Sequence, residues 1–182
     1  MPSAFDERER LAIKARLLDA AMRALGHGGM GSASVSQLAA AASIAKGSFY
    51  AFYQSKEELF MDALESIEER YRARFEEAAS GGGTPSERLE RSFRAAFDLV
   101  DEEPALRAID SSTMERLARA LPPERLERHV AADAEAIDRL ADCWRAGGLL
   151  ADSVEASDVA AASYAVFLVA MGLQSLDRKS VV

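Results

Sequence analysis

Apolar residues recur along most of this chain at intervals of three and four positions, the spacing that places side chains on one face of an α-helix. The clearest case runs from Ser55 to about Ala79. Its apolar positions are Leu59, Phe60, Ala63, Leu64, Ile67, Tyr71 and Phe75. No segment alternates apolar and polar residues as a half-buried strand does. The pattern therefore predicts an all-α fold with about nine helices.

The first helix is predicted to begin near Arg8 and to end at Gly26, where a glycine-rich run interrupts the pattern. Its predicted inward positions are Leu11, Leu18, Met22 and Leu25. Residues 1–7 precede the pattern and are expected to be frayed. The basic side chains near its start, Arg8, Arg10 and Lys14, suit either phosphate contact or a solvated face.

Prolines and capping residues mark the later helix starts. Thr84 and Glu87 have the spacing of a capping box, with Pro85 at the first helical position. Pro104 is predicted to open the next helix, and Pro122-Pro123 the one after. The inward positions of that later helix are predicted to be Leu126, Val130, Ile137, Leu140 and Trp144. The last helix is expected to cover roughly residues 157–176.

The stretch Ser34–Leu59 contains two short helical patterns joined by a tight connection. Ser34 and Gln37 have capping-box spacing at the start of the first. The second is predicted to run from Lys46 to Tyr53, and its small residues Gly47 and Ala51 are one turn apart. One face of this helix is therefore nearly bare, which is suited to the close approach of a recognition helix to the major groove.

In this stretch the sequence resembles the tetracycline-repressor (TetR) family of transcriptional regulators over about 26 positions. The matching residues are Ser34-Val35, Leu38-Ala39, Ala42-Ser43-Ile44-Ala45, Gly47-Ser48, Tyr50, Tyr53, Ser55-Lys56-Glu57 and Leu59. Two residues depart from the family pattern. Ser43 stands where the turn usually has glycine, and Ala45 where the second short helix usually has a hydroxyl cap. Both leave the start of the recognition helix open.

The resemblance implies a helix-turn-helix DNA-binding domain at residues 8–54, called the head below. It also implies a helical ligand-binding and dimerisation domain at residues 55–182, called the body. The long helix beginning at Ser55 joins them. The implied partner is a double-stranded DNA operator. The expected DNA-binding residues are Ser34, Ser36, Lys46, Gly47, Ser48, Tyr50 and Lys56. The alternative for Ser34 is that it only caps the helix and does not contact DNA. Phe49 and Tyr53 are expected to pack inside the head.

A hydrophobic small-molecule effector is expected inside the body, by resemblance to the family. The residues expected to line its site are Tyr71, Phe75, Phe93, Phe97, Ile109, Met114 and Trp144. A solid core without a cavity is the other interpretation of the same side chains. A homodimer is expected through the last two helices. Its predicted seam, at alternating intervals of three and four, is Val159, Ala162, Val166, Val169, Leu173 and Leu176.

Composition and charge further limit which functions and locations are expected. The net charge is −8, but residues 1–60 have seven Lys/Arg against six Asp/Glu, and the remainder fifteen against twenty-four. The acidic body is compatible with DNA binding by the head, because phosphate attraction is local and screened. No secretory signal or bilayer-length apolar run is recognised. The single cysteine, Cys143, is interpreted as a buried inert thiol, with a redox sensor as the alternative. The chain is expected to be cytoplasmic.

Catalytic and metal motifs are not found in the sequence. His27 and His129 have no metal-ligand spacing, and Leu126 stands where a Glu-x-x-His motif requires glutamate. We therefore predict a regulator without cofactor, metal or enzymatic activity, by default a repressor. A helical enzyme or interaction module that merely contains a helix-turn-helix is the alternative, and a gel shift with DNA from its own promoter region discriminates the two.

Overall fold

A computed structural model describes residues 5–106 and 111–179, without the side chains of Ser111, Phe167 and residues 170–179. Over this part the chain forms eight α-helices and a short 3₁₀ turn at Met30–Ser32. The helices are α1 Glu7–Gly28, α2 Val35–Ala41, α3 Lys46–Phe49, α4 Lys56–Ser80, α5 Pro85–Glu102, α6 Ser111–Ala120, α7 Pro123–Ala146 and α8 Ala156–Lys179. The described residues contain no β-strand, so the predicted all-α fold is confirmed. None of these helices is long and apolar enough to cross a membrane.

Side-chain caps form at four of the helix starts. At α4, the Ser55 hydroxyl accepts from the Glu58 amide at 3.1 Å. The predicted capping boxes are both formed, by Ser34 with Gln37 at α2 and by Thr84 with Glu87 at α5. A third, which the sequence analysis missed, opens α1: Asp6 Oδ1 accepts from the Glu9 amide at 2.7 Å. Because this cap satisfies free amides of the first turn, α1 begins at Glu7. The expectation that residue 7 is frayed was wrong.

The end of α1 also differs from the prediction. The helix continues through Gly26 and ends at Gly28, with Gly29 at φ 72° closing it. A Cβ added at Gly26 would lie 3.0 Å from the Cβ of Pro104. Gly26 therefore permits a close approach of the Pro104 turn to α1 and does not stop the helix. Pro104 itself lies in a turn that leads to a 3₁₀ conformation at Leu106, and the path from there to α6 lies outside the described residues.

The chain separates into two compact units, and the first comprises Met1–Ile67 and Pro104–Pro122. Its core is made of aliphatic and aromatic side chains from five helices. Its buried members include Ile13, Leu17, Leu25, Leu38, Phe49, Leu59, Phe60, Leu64, Ile67, Leu106 and Leu117. Leu11, predicted to face inward, is 66% exposed, because the buried face of α1 follows the register of Ile13, Leu17 and Leu25.

The second unit comprises Glu68–Glu103 and Pro123–Val182. Its buried core cluster is Phe75, Ala79, Ala96, Leu140, Ala141, Trp144, Leu149 and Val159. Two predictions for α7 were wrong here. Val130 is 65% exposed, whereas the neighbouring His129 is buried. Cys143 is also exposed, and not the buried thiol that was expected.

The packing units and the predicted domains divide the chain at different places. The predicted boundary follows residue 54, but the first unit retains α4 as far as Ile67 and includes α6. The reason is packing: Leu59, Phe60 and Leu64 of α4 are fully buried, as is Leu117 of α6. The assignment of DNA binding to residues 8–54 and of ligand binding to residues 55–182 stays a prediction.

Candidate nucleic-acid interface and effector site

The turn between α2 and α3 has the geometry of a helix C-cap. The Ile44 amide donates to the Ala39 carbonyl at 3.0 Å, and the Ser43 amide donates to the Ala40 carbonyl at 3.0 Å. These two bonds form a Schellman motif, which requires a left-handed residue after the cap. Ser43 supplies it at φ 61°. The serine thus adopts the conformation usually given to glycine, with its β-carbon in place.

Helix α3 starts without a side-chain cap. Ala45 occupies the N-cap position in an extended conformation, and no side chain accepts a hydrogen bond there. Ser43 therefore does not cap α3. Lys46 is the first helical residue, so the start of the candidate recognition helix is fixed. The α-helix ends at Phe49 and continues as turns through Phe52, shorter than the predicted Lys46–Tyr53.

The two faces of α3 and the following turns differ sharply in burial. Phe49 is fully buried and Tyr53 is 4% exposed, which confirms that these rings pack inside the head. Tyr50 is 54% exposed, and its ring contacts Phe49 edge-on at 5.6 Å between centroids. The buried rings therefore hold the helix, and Tyr50 presents its hydroxyl on the outer side.

Open space surrounds Gly47. A Cβ built at this position meets no heavy atom within 4 Å, and its backbone is not left-handed. Neither packing nor conformation within the unit therefore requires glycine here. Ala51, one turn further, and Lys46 are also exposed. The face formed by these three residues is accessible to a large flat partner.

The three serines expected at the interface have different environments. Ser34 Oγ accepts from the Gln37 amide at 3.3 Å, so Ser34 caps α2 whatever else it contacts. Ser36 is exposed in the first turn of α2, and Ser48 is half-buried on α3. Among these three, Ser36 alone has a side chain that is both exposed and outside a capping bond. Its hydroxyl lies near the N-terminus of α2, an end that favours anions.

Lys56 is held by the protein itself. Its Nζ donates to the carbonyl oxygens of Met30 and Ala33, each at 3.2 Å, in a partly buried setting. The side chain therefore ties the start of α4 to the segment that connects α1 and α2. An ammonium group has three donors, so two carbonyl bonds leave one for a phosphate. That Lys56 contacts a phosphate stays a prediction. Its bonds to Met30 and Ala33 give it a structural role as well.

The basic residues of α1 contact the helix-turn-helix. Arg16 Nε donates to the Ala42 carbonyl at 2.9 Å. Arg10 donates to the Ala51 carbonyl at 3.2 Å and lies over the Phe52 ring. Lys14 lies 5.5 Å from the Tyr53 ring centroid and 3.7 Å from Asp62. The cationic groups of Arg10 and Lys14 thus help to hold α1 against the rest of the head.

Four of the seven residues expected at the effector site come together in the second unit. The rings of Tyr71 and Phe75 stack at 6.0 Å between centroids, and those of Phe75 and Trp144 stack at 5.2 Å. Phe93 meets Phe75 edge-on at 5.5 Å. Offset-stacked and edge-on pairs are the favourable aromatic geometries. The result is a continuous aromatic cluster contributed by α4, α5 and α7.

Two polar groups lie within this apolar cluster. The indole Nε1 of Trp144 is buried and has no hydrogen-bond partner among the described residues. Burial raises the pKa of the Tyr71 phenol to about 12, so that hydroxyl stays protonated at neutral pH. A buried donor without an acceptor is costly. The indole N–H therefore favours any molecule that brings an acceptor to it.

The other three expected effector residues are placed differently. Phe97 is half-buried on α5, and Met114 is half-buried on α6 in the first unit. Ile109 lies outside the described residues. Within the second unit, the structure brings together the residues predicted on α4 and α7 and, from α5, Phe93.

The predicted dimer seam on α8 is partly internal. Val159 is buried and Val166 packs against the core of the second unit. Ala162 and Val169 are exposed, the latter by 53%. The side chains of Leu173 and Leu176 lie outside the described part of the structure. Exposed apolar side chains next to the seam, which the prediction did not include, are Tyr164 and Leu168.

One side-chain cluster was missed altogether from the sequence. Glu68, His129 and Asp133 place three possible metal-ligand atoms within 4.8 Å of one another. His129 and Asp133 are four residues apart on α7, a spacing that puts both on one helix face. That His-x-x-x-Asp spacing was visible in the sequence. The third member, Glu68, lies on the distant helix α4 and gave no signal.

Comparison with known proteins agrees with the geometry of the head. Residues 17–63 match the family model described as bacterial regulatory proteins, tetR family. The HTH-type transcriptional repressor KstR of Mycolicibacterium smegmatis is 36% identical over 83 residues, which are 46% of this chain. The matched part is 39% of the length of KstR, so the chain spans well under half of that relative.

Solved structures extend the similarity to the whole fold. The fatty acid degradation regulator FadR from Bacillus halodurans has a TM-score of 0.67 at 17% identity, covering 91% of this chain and 86% of FadR. A TetR family transcription regulator from Marinobacter aquaeolei VT8 has a TM-score of 0.61 at 19% identity, covering 93% and 88%. At these identities the likeness shows the fold alone. The family match is therefore carried by the helix-turn-helix, where residues 17–63 of this chain match the model of the tetR family of bacterial regulatory proteins.

Proposed function

We propose that this chain is a transcriptional regulator, by default a repressor, that binds an inverted-repeat DNA operator as a homodimer. The observation that carries the proposal is the exposed α3 face of Lys46, Gly47 and Tyr50, held from behind by buried Phe49. A helix presented in this way by a helix-turn-helix enters the major groove and reads base edges. The name of the relative KstR, a transcriptional repressor, supports repression.

The electrostatics of the head are consistent with this proposal. DNA attracts proteins through local phosphate contacts, whose strength falls with salt. The head has nearly balanced charge, and the excess of acid lies in residues 61–182. We therefore expect modest non-specific affinity and a stronger dependence on operator sequence. Lys46 is the exposed cation on α3 and is expected to contribute most directly.

The test is binding of duplex DNA from upstream of the protein's own gene, measured by fluorescence anisotropy against a scrambled duplex of equal length. The wild type is expected to prefer the upstream duplex. Tyr50→Ala should weaken that binding, whereas Ala73→Ser, at an exposed position of α4 in the second unit, should leave it unchanged. Equal affinity for both duplexes, or no effect of Tyr50→Ala, would count against an α3 interface.

We further propose that a small, mainly apolar effector binds at the aromatic cluster of Tyr71, Phe75, Phe93 and Trp144. The stacked rings offer an apolar surface, and the indole N–H of Trp144 lacks an acceptor among the described residues. An effector with an apolar or aromatic scaffold would pack against the rings, and one carbonyl-like acceptor on it would accept the hydrogen bond of the indole N–H. For useful regulation it must bind the DNA-free state more tightly by about 1–3 kcal/mol.

Trp144 is the single tryptophan of the chain, so its fluorescence reports directly on this site. Compounds that release DNA should also change Trp144 emission, and compounds lacking an acceptor should release DNA less well. Trp144→Phe keeps an aromatic ring but removes the N–H. It should reduce this preference for acceptor-bearing compounds. Release of DNA by a compound that leaves Trp144 emission unchanged would place the effector elsewhere.

A further inference from the structure

The Glu68, His129 and Asp133 cluster lies in the second unit and has no part in the proposed DNA or effector sites. The His129 ring is 8% exposed, and the Oε2 atom of Glu68 is shielded from solvent. Asp133 is 40% exposed. The cluster therefore has a closed end, formed by the imidazole and one carboxylate, and an open end at the second carboxylate. Buried ionic groups of this kind are either paired with one another or coordinate a metal.

The distances fit pre-assembled ligands. One ligand atom from each of the three residues lies within 4.8 Å of the other two. The two ring nitrogens of His129 face different carboxylates: Nε2 lies 3.6 Å from Asp133 Oδ2, and Nδ1 lies 3.9 Å from Glu68 Oε2. Around tetrahedral zinc, with bonds of about 2.0–2.2 Å, ligand atoms are separated by about 3.3 Å. Because one ring nitrogen binds a given ion, rotation of the His129 ring or of one carboxylate side chain would bring the three donors to it. The α-helical backbone need not move, because α7 supplies two ligands at positions four apart.

Arg72 contacts the outer side of the cluster and orients the Asp133 carboxylate. Its NH1 lies 3.0 Å from Asp133 Oδ1, the carboxylate oxygen that does not face the imidazole. That contact fixes the carboxylate and leaves Oδ2 turned towards His129. Outer hydrogen bonds of this sort orient the ligands of metal sites. The arginine also limits the negative charge, which disfavours the oxygen-rich, highly charged sites that calcium and magnesium prefer.

We propose that Glu68, His129 and Asp133 form a binding site for one divalent transition-metal ion of the zinc, cobalt or nickel type. An imidazole nitrogen with two carboxylates is a ligand set that these ions accept and that magnesium does not favour. Water or a ligand group would fill the remaining coordination positions at the half-exposed Asp133 end. The ion would link α4 to α7 within the second unit and stabilise that pairing.

The experiment is a titration of untagged full-length protein with Co²⁺, followed by its visible absorption and by competition with Zn²⁺ and Mg²⁺. The chain has two histidines and one cysteine. A His27→Ala, Cys143→Ser background therefore removes the other imidazole and the thiol and serves as the matched control. We expect saturable binding of one equivalent of Co²⁺ in both proteins, displaced by Zn²⁺ and not by Mg²⁺.

His129→Ala and Asp133→Asn should each weaken Co²⁺ binding tenfold or more, the scale on which metal sites respond to loss of supporting groups. Asp133 is half-exposed, so Asp133→Asn is the change least able to disturb folding. Zn²⁺ should also raise the unfolding temperature of the wild type and of the control, but not of Asp133→Asn. Absence of saturable Co²⁺ binding, or binding that survives both substitutions, would overturn the proposal and leave the cluster as an internal charge network.

Discussion

Arg16 donates a hydrogen bond from Nε to the carbonyl oxygen of Ala42, 26 residues later, at 2.9 Å. Ala42 is the C-cap of α2 and is itself fully buried. A cation at a helix C-terminus is favoured by the free carbonyls and the dipole of that end. The bond therefore fixes α1 to the turn whose geometry decides where α3 points.

Arg16→Met keeps most of the aliphatic stem and removes the donor. Loss of a charged hydrogen bond at a partly exposed position should lower the free energy of unfolding by about 1 kcal/mol. Urea denaturation measures this change. Arg8→Met, at an exposed position of the same helix, is the control and should have little effect. Equal stability of both variants would show that the Arg16 bond does not support the turn.

Gly47→Ala should separate stability from DNA binding. Since nothing in the protein lies within 4 Å of the new methyl group, the change should stabilise the head by up to about 1 kcal/mol through helix propensity. The same methyl group would stand on the face proposed to approach DNA, so operator affinity should fall. Urea denaturation and anisotropy measure the two effects.

The control for that substitution is Ser43→Gly. Relief of the left-handed conformation at Ser43 should also stabilise the protein, by about 1 kcal/mol. It adds no group to the α3 face, so operator affinity should be kept. Affinity that stays unchanged in Gly47→Ala would mean that DNA does not approach α3 closely at this point.

Lys56 and Lys46 should respond differently to removal of their charge. Lys56→Met deprives two backbone carbonyls of a donor and should lower stability by about 1–2 kcal/mol. Lys46→Met, at an exposed site, should leave stability within about 0.5 kcal/mol. Both are expected to weaken DNA binding, and removal of one lysine–phosphate interaction reduces the slope of log affinity against log salt by about one. An unaltered salt slope in Lys56→Met would assign that lysine to structure alone.

Gly26→Ala should destabilise the first unit by about 1–3 kcal/mol through overpacking. The new β-carbon would lie 3.0 Å from the Pro104 Cβ, which belongs to a stiff ring. Gly31→Ala is the matched control, because its nearest neighbour is the flexible Arg116 guanidinium at 3.5 Å. Thermal unfolding of the two variants should differ clearly. A Gly26→Ala variant as stable as the wild type would mean that the Pro104 turn can shift away at little cost.

The features predictable from sequence were those that depend on neighbours a few residues apart. The caps at Ser34 and Thr84 form because hydroxyl, spacing and free amides are all local. The burial of Phe49 and Tyr53 was expected from the resemblance to the family, which rests on residues within the same short stretch. These local signals were sufficient to recognise the head of the molecule and its fold class.

Which face of a helix is buried was harder to predict. A periodic pattern with many alanines fits two inward-facing sets of residues that are offset by one position. On α7 the choice of Val130 over His129 as the inward residue rotated the face by one position, about 100°. The same ambiguity placed Leu11 inside on α1. Long-range partners were beyond reach for a different reason. Whether Lys56 meets carbonyls, or His129 meets Glu68, depends on how distant helices pack.

Val169→Glu tests the proposed homodimer at a position where the predicted seam is also exposed. Val169 and Leu168 are 53% and 51% exposed on α8, and such neighbouring apolar side chains usually mark an interaction surface. A charge buried there without a partner is costly, so the dimer should weaken by tenfold or more, about 1.4 kcal/mol or above. Sedimentation velocity over a range of protein concentrations measures the equilibrium. Ala73→Glu, an exposed helical position on α4, is the control and should stay dimeric.

A two-fold operator needs two recognition helices about 34–36 Å apart, so the Val169→Glu variant should also lose affinity for an inverted repeat much more than for a single half-site. A wild type that sediments as a monomer at micromolar concentration would refute the homodimer directly.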